Sequence, residues 1–115
     1  MKELIALRDE LRRFASERDW DQFHSPKNLA SALAVEAAEL LEPFQWLTED
    51  QSRALSPRQT DAVRSELADV LMYLVRLADK LDVNLMEAAR AKLAENAKKY
   101  PVQKAKGSAR KYTDL

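Results

Sequence analysis

The sequence predicts an all-α protein built as a four-helix bundle, and three observations support this. One glycine and four prolines among 115 residues leave few positions suited to tight turns. Alanine, leucine, glutamate, lysine and arginine dominate the chain, and these are strong helix formers. Apolar residues also recur at steps of three and four in four separate segments, which is the spacing of one helix face. A chain of this length suits a single domain.

The first two helices are marked by their apolar periods and by a capping signal. Leu4, Leu7, Leu11 and Phe14 predict a first helix from about residue 2 to about residue 18. Ser25 followed by Pro26 resembles an N-cap with proline at the first helical position. The second helix then carries an apolar stripe that we expect to be buried, and Pro43, which has no N–H, should kink or end its last turn. The stripe consists of Leu29, Leu33, Ala37, Leu40, Leu41 and Phe44.

The third and fourth helices begin with capping-box patterns. Ser56 with Gln59 three residues later opens the third helix, and Asn84 with Glu87 opens the fourth. The fourth helix is expected to end where Tyr100 meets a proline. The stripe of the third helix, which we also expect to be buried, consists of Val63, Leu67, Val70, Leu71, Leu74, Leu77 and Leu81.

The C-terminal residues differ from the rest in charge and pattern. Residues 98–115 contain six basic residues and one acidic residue, whereas residues 1–97 carry an excess of acidic residues. The segment after the fourth helix shows no apolar period. We therefore expect a helical core over residues 1–97, and over 98–115 the end of the last helix and an extended basic arm.

Composition excludes several classes of function. The chain contains no cysteine and one histidine, so thiolate sites and histidine-rich metal sites are excluded. The formal net charge of zero argues against a binder of nucleic-acid polymers. The N-terminus mixes charged with apolar residues and no apolar run has membrane-spanning length, so we expect a cytoplasmic protein with no membrane partner.

Two helices each carry a pair of acids at the same offset from the apolar stripe. At about 100° per residue, Glu36 and Glu66 fall about 60° from the stripe centre, on the second and third helices respectively. Glu39 and Asp69 fall about 120° from it on the same side. The two pairs can converge when the stripes pack, and four carboxylates in one place repel unless a cation lies between them.

The chemistry of this acid set favours a hard cation. Oxygen ligands without histidine or cysteine predict Mg²⁺, with Mn²⁺ as a substitute. A di-iron carboxylate bundle is a rival, but it needs Glu-x-x-His pairs, which the sequence lacks. Solvated acids on a non-enzymatic helical oligomerisation module are the other alternative, because acid pairs at this spacing are common on helix surfaces.

Further polar and aromatic residues surround the acids. Tyr73 follows Asp69 by one turn on the same flank, and Lys92 and Asn96 are predicted to face inward with the apolar residues of the fourth helix. The lysine and asparagine either pair with the acids or hold phosphate. Trp20 and Trp46 either anchor the core or line a polar site.

Several motifs together carry a family resemblance. They resemble those of the MazG-like all-α nucleoside triphosphate pyrophosphohydrolases, and most of all the dCTP pyrophosphatase branch. The acid pairs are shared by all branches of that superfamily, whereas the aromatic motifs and the tail are more specific. The motifs are F-x-x-x-R-D-W-x-x-F-H-x-P-K-N-L (14–29), E-x-x-E-L (36–40), F-Q-W (44–46), E-L-A-D-V-L-x-Y-L (66–74), K-x-x-x-N-x-x-x-Y-P (92–101) and the terminal R-K-Y-T-D-L.

This resemblance implies a reaction, a cofactor and a set of roles. The reaction is Mg²⁺-dependent hydrolysis of a nucleoside triphosphate, dCTP or a related or modified pyrimidine deoxynucleotide, to the monophosphate and pyrophosphate. Apart from the resemblance, Glu39 is the candidate for orienting the attacking water, because it lies farther from the apolar stripe than Glu36 does. The resemblance also implies homo-oligomers, dimers or tetramers, whose base pockets are completed across subunits. The implied metal ligands are Glu36, Glu39, Glu66 and Asp69; Tyr73, Lys92 and Asn96 would contact phosphates or sugar, and Trp20, Asp21, His24 and Trp46 would surround the base.

Overall fold

The computed structural model describes residues 1–115 and contains only helices, turns and irregular segments. The all-α prediction is therefore confirmed. The chain divides into two compact units, residues 1–82 and 83–115. The α-helices are α1 (Lys2–Glu17), α2 (Pro26–Leu41), α3 (Glu49–Ser52), α4 (Pro57–Lys80), α5 (Leu85–Lys99) and α6 (Val102–Ala105), and two 3₁₀ turns span Asp21–Phe23 and Tyr112–Asp114.

Helices α2, α4 and α5 begin at the caps that the sequence predicts. The Ser56 hydroxyl accepts a hydrogen bond from the Gln59 backbone N–H at 3.2 Å. The Gln59 side chain accepts one in return from the Ser56 N–H at 2.8 Å. Ser25 caps α2 through the Asn28 N–H at 3.1 Å, and Asn84 caps α5. These side chains satisfy donors that the first turn of a helix leaves unpaired.

The end of α2 follows from Pro43, as expected. The helix stops at Leu41, two residues before the proline, and the chain continues as a turn through Trp46. The carbonyl of Glu39 accepts from the Glu42 N–H at 3.1 Å, because Pro43 has no N–H to donate. This turn carries the Trp46 indole away from the helix axis and leaves it 87% exposed.

In the first unit, α4 is the central element. Helix α2 packs along α4, and α1 packs against α4 as well. The fully covered apolar residues at these contacts are few: Ala15, Leu29, Val75 and Ala78. The register of α2 on α4 fixes the acid-bearing faces of these two helices opposite each other.

The predicted stripe of α4 is not buried throughout. Leu67 is 53% exposed, Leu71 41% and Leu81 54%. The expectation that the whole stripe lies in the core of this chain was therefore wrong. The apolar period correctly identifies the helix, but the period alone cannot say which surface covers each part of a 24-residue helix. On α2, Leu41 at the end of the stripe is likewise 60% exposed.

The second unit contains α5 and a partly helical C-terminal segment. The prediction of an extended arm was wrong in part, because α6 and a 3₁₀ turn interrupt it. The rings of Tyr100 and Tyr112 meet edge to face with centroids 5.9 Å apart. The Lys99 ammonium lies 4.9 Å from the centre of the Tyr112 ring, which fixes the tail further. The proposed division at residue 97 stays a prediction.

No helix in the chain combines the length and the apolar character needed to cross a membrane.

The capping box of α4 gives a test of local stability. Ser56→Ala removes the hydroxyl that pairs the Gln59 N–H, and we expect a loss of about 0.5–2 kcal/mol in the free energy of unfolding. Ser65→Ala is the matched control, since Ser65 is exposed within the same helix and alanine is the better helix former. Urea unfolding at one fixed protein concentration compares the two variants. Equal stability of both variants would contradict a role for the cap.

Candidate active site

The acids of α2 and α4 come together as the sequence predicts. Carboxylate oxygens of Glu36, Glu39 and Glu66 lie within 4.8 Å of one another. Asp69 lies outside this closest group, but its negative charge acts on both Glu36 and Glu66. The packing of α2 along α4 thus converts two separate i, i+3 pairs into one acidic cluster.

Two oxygens of this cluster are buried without a hydrogen-bond donor. They are Glu36 Oε2 and Glu66 Oε2. None of the four acids forms a salt bridge with a lysine, an arginine or the histidine of the chain. A buried carboxylate oxygen without a partner costs free energy. A cation that the acids share would satisfy these oxygens, and the oxygen-only donor set fits a hard metal ion.

The pKa values of Glu36 and Glu66 are raised, as expected for carboxylates that lie close together and partly buried. Burial, followed by the hydrogen bond and the charge of Glu39, raises the pKa of Glu36 to about 7. Burial and then the charges of Glu39 and Asp69 raise the pKa of Glu66. In the absence of a cation the cluster therefore holds a proton near neutral pH.

A cavity of about 170 Å³ adjoins the acids. Three residues predicted to contact substrate lie in its wall: Trp20, His24 and Tyr73. The Trp20 ring meets the Phe14 ring edge to face, with centroids 5.7 Å apart. The wall is completed by Leu11, Phe14, Ala15, Glu36, Asp69, Met72 and Arg76. The cavity thus combines aromatic surface at one part of its wall with carboxylates at another.

Asp21 lies beside this cavity without lining it. Its carboxylate accepts hydrogen bonds from Lys80 Nζ at 2.6 Å and from Arg76 Nη2 at 2.9 Å. These two cations lower the pKa of Asp21, with Lys80 contributing most. In this structure Asp21 anchors the 3₁₀ turn to α4.

Besides Asp21, three more of the predicted substrate contacts lie outside the cavity wall. Trp46 lies on the turn after α2, and its high exposure means that it does not anchor the core of this chain. Lys92 and Asn96 belong to the second unit. The Lys92 side chain is 62% exposed and lies 3.6 Å from a Glu95 carboxylate oxygen, so the expectation that it faces inward was wrong. Asn96 is half-buried.

Two residues at the site were not predicted from the sequence. Glu42 continues the three-residue spacing of Glu36 and Glu39, and its charge adds to the raised pKa of Glu66. Arg76 follows Tyr73 by three residues on α4 and lines the cavity. Extending the i, i+3 pattern by one turn on each helix would have found both residues.

The chain is similar to several known proteins. A family model described as the MazG-like family matches residues 32–115. The chain is 49% identical over 104 residues to dCTP pyrophosphatase 1 from Bos taurus, covering 89% of this chain and 62% of the relative. The human protein of the same name is 48% identical, with 89% of this chain and 61% of the relative covered. The chain therefore spans about three fifths of the length of these relatives.

A solved structure also resembles this chain in both fold and sequence. The crystal structure of a pyrophosphatase from Archaeoglobus fulgidus matches with a TM-score of 0.79 and 43% sequence identity. The match covers 88% of this chain and 92% of that one. With the family model matching most of the sequence, these findings show that the chain belongs to the MazG-like family.

Proposed function

We propose that the chain hydrolyses a nucleoside triphosphate, dCTP or a related or modified pyrimidine deoxynucleotide, to the monophosphate and pyrophosphate. Two buried carboxylate oxygens without donors, on Glu36 and Glu66, support this proposal most strongly. An acid cluster of this kind suits a metal-assisted reaction on a polyanion. The names of the bovine and human relatives favour dCTP among the candidate substrates.

The proposed cofactor is Mg²⁺, with Mn²⁺ as a substitute. The four acids named above would hold the ion, since they offer carboxylate oxygen alone and Mg²⁺ prefers oxygen ligands. When bound, the ion would supply positive charge that offsets the negative charge of the phosphates and of the leaving pyrophosphate. Asp69 lies in the cavity wall together with Glu36, so these acids face the space available to substrate.

Within the cluster, Glu39 is the proposed catalytic residue that orients the attacking water. It lies farther from the apolar stripe of α2 than Glu36 does, which favours access to solvent. Neither of its oxygens is buried without a partner, unlike those of Glu36 and Glu66. A carboxylate in this position accepts a hydrogen bond from water and directs the water lone pair toward phosphorus.

The residues in and near the cavity are the proposed contacts to the base, the sugar and the phosphates. Trp20, His24 and Asp21 would surround the base, and Tyr73 would contact phosphate or sugar. Trp20, His24 and Tyr73 lie in the cavity wall, and Asp21 lies beside it, bound to Arg76. Lys92 and Asn96, both on α5, would also contact phosphates or sugar. Trp46, exposed on its turn, would contribute an indole to a base site shared between subunits.

The chain is proposed to act as a homo-oligomer, a dimer or a tetramer. Leu67, Leu71 and Leu74 expose apolar surface along one helix, and clusters of exposed apolar side chains commonly mark interfaces. The competing function, a non-enzymatic helical oligomerisation module, would explain these leucines as well. It gives no reason, however, for buried acids without donors between α2 and α4.

The product of the reaction separates these two functions. With dCTP and Mg²⁺ the protein should release pyrophosphate and the nucleoside monophosphate. Glu39→Gln should cut turnover at least about a hundredfold, in the range seen when a charge-stabilising group is lost. Glu10→Gln, at an exposed position of α1, is the matched control and should keep full activity. Orthophosphate as the first product, or no turnover of any nucleoside triphosphate, would contradict the proposal.

The raised pKa of Glu36 gives a pH-dependent prediction for the metal-free protein. Folded protein keeps the Glu36 proton up to about pH 7, whereas unfolded protein releases it near the ordinary value of 4.5. The folded state therefore binds more protons in this window, and the Glu36 contribution to stability is lost as the pH rises through it. Glu36→Gln cannot ionise, so its melting temperature in EDTA should exceed that of wild type at pH 8 by more than at pH 5.

Thermal melts in EDTA at both pH values check this, with Glu10→Gln as the surface control. Adding Mg²⁺ should then raise the melting temperature of wild type more than that of Glu36→Gln, because a ligand stabilises the state that binds it. If the melting temperatures of wild type and Glu36→Gln differ by the same amount at both pH values, Glu36 does not share a proton within the acid cluster.

The exposure of Trp46 allows binding to be separated from folding. Stacking of a base on an indole is worth about 1–3 kcal/mol, so Trp46→Ala should weaken nucleotide binding about ten- to a hundredfold. Since the side chain is 87% exposed, the helix content and the stabilisation by Mg²⁺ should stay close to wild type. Gln45→Ala, at the preceding exposed position, is the control. Nucleotide titrations measure the affinity, and unchanged binding would exclude Trp46 from the base site.

A further inference from the structure

Arg76 is a buried charged residue with no assigned role. Its side chain is 6% exposed and lies on α4, one turn beyond Tyr73. Its guanidinium contacts Asp21 at 2.9 Å and Asp79 at 3.7 Å. Two of its nitrogens also approach the same ring nitrogen of His24: Nη2 lies 3.1 Å from Nδ1, and Nε lies 3.4 Å from it.

These contacts determine where the histidine carries its proton. A guanidinium has only N–H donors and stays protonated in proteins, so the Nδ1 atom that it approaches must be the acceptor. A neutral imidazole has one N–H, which must then lie on Nε2. All hydrogen bonds of the ring in the structure involve Nδ1, which leaves Nε2 available to a ligand.

The neighbouring charges hold this arrangement in place. Asp79, which contacts Arg76, also accepts from Arg12 Nε on α1 at 2.7 Å. Asp21 is shared between Arg76 and Lys80. Arg76 therefore joins the 3₁₀ turn to α4 directly and α1 through Asp79, and its position does not depend on a single partner.

The same surroundings keep the His24 ring neutral. Burial and then the positive charge of Arg76 lower the pKa of His24, and Lys80 adds to the effect while Asp21 opposes it. A second proton on the ring would have to lie on Nδ1, facing a guanidinium. The ring therefore presents one N–H donor and no acceptor at its free nitrogen.

We propose that Arg76 is a positioning residue that fixes His24 as the Nε2–H tautomer, so that His24 donates a hydrogen bond to an acceptor atom of the bound nucleotide. Both residues lie in the wall of the cavity that also contains Trp20. The nucleotide part of this inference rests on the proposed function. The tautomer itself rests on the contacts of Arg76 and can be measured without substrate.

The single histidine of the chain makes the tautomer directly observable. Long-range ¹H–¹⁵N spectra of uniformly ¹⁵N-labelled protein, without nucleotide at pH 8, should show one set of imidazole signals with Nε2 protonated and Nδ1 unprotonated. A protonated Nδ1, or a mixture of the two tautomers, would overturn the proposal. This measurement on wild type remains decisive even if a variant at position 76 does not fold.

Variants then test whether Arg76 determines the tautomer of His24. Arg76→Met removes the donors while keeping a long side chain, and should produce a mixture of tautomers. Arg64→Met is the matched control on the same helix, because Arg64 is exposed and pairs only with Asp61. It should keep the Nε2–H tautomer. A folded Arg76→Met variant with the wild-type tautomer would show that Arg76 does not set it.

Kinetics and titration separate this inference from the proposed function. Arg76→Met should raise KM for dCTP about five- to tenfold, the effect of one hydrogen bond, with a smaller change in kcat. An unchanged KM would overturn the role in recognition. Adding dCTP with Ca²⁺ to wild type should shift the Nε2 signal while Nδ1 stays unprotonated. If the tautomer is found but no nucleotide shifts the signal or is turned over, the proposed function fails and the positioning by Arg76 stands.

Discussion

The packing of α2 along α4 is the constraint on which the rest of the site depends. It brings carboxylates of Glu36, Glu39 and Glu66 within 4.8 Å of one another and leaves two of their oxygens buried without donors. Such a cluster opposes folding through like-charge repulsion and desolvation, and the raised pKa values of Glu36 and Glu66 record that opposition. The fold tolerates it because a shared proton, or a cation, relieves the repulsion. A strained acidic cluster on packed helices therefore suits the metal ion proposed above, because a cation would relieve the repulsion.

Helix α4 links the acidic part of the site to the aromatic part. Glu66, Asp69, Tyr73 and Arg76 follow one another at steps of three and four residues, so they lie along one flank of the helix. The first two belong to the acid cluster, and Arg76 holds the turn that carries Asp21 and His24. A rigid helix thereby fixes the distance between the groups proposed to hold the metal and those proposed to hold the base. Sites built on regular elements keep such spacing better than sites built on loops alone.

The small core of the first unit has a consequence for assembly. Few apolar side chains are fully buried, while several leucines of α4 and the Trp46 indole remain exposed. A chain with so little covered apolar surface gains limited stability from its own core. Association with further copies would cover these residues and would place exposed side chains where another subunit can use them. Stability and completion of the substrate site would then depend on the same contacts.

The sequence by itself determined the four long helices, the caps of three of them and the two acid pairs. Local rules suffice for these features: the apolar period, the Ser56 and Asn84 caps, the break at Pro43 and the matching offsets of the two acid pairs all act within a few residues. Only the tertiary structure decided which parts of each stripe are covered, where Lys92 points, and that Arg76 meets His24, 52 residues away. These outcomes depend on how separate helices pack and on which charges are then removed from water, and neither is encoded in the period of any one helix.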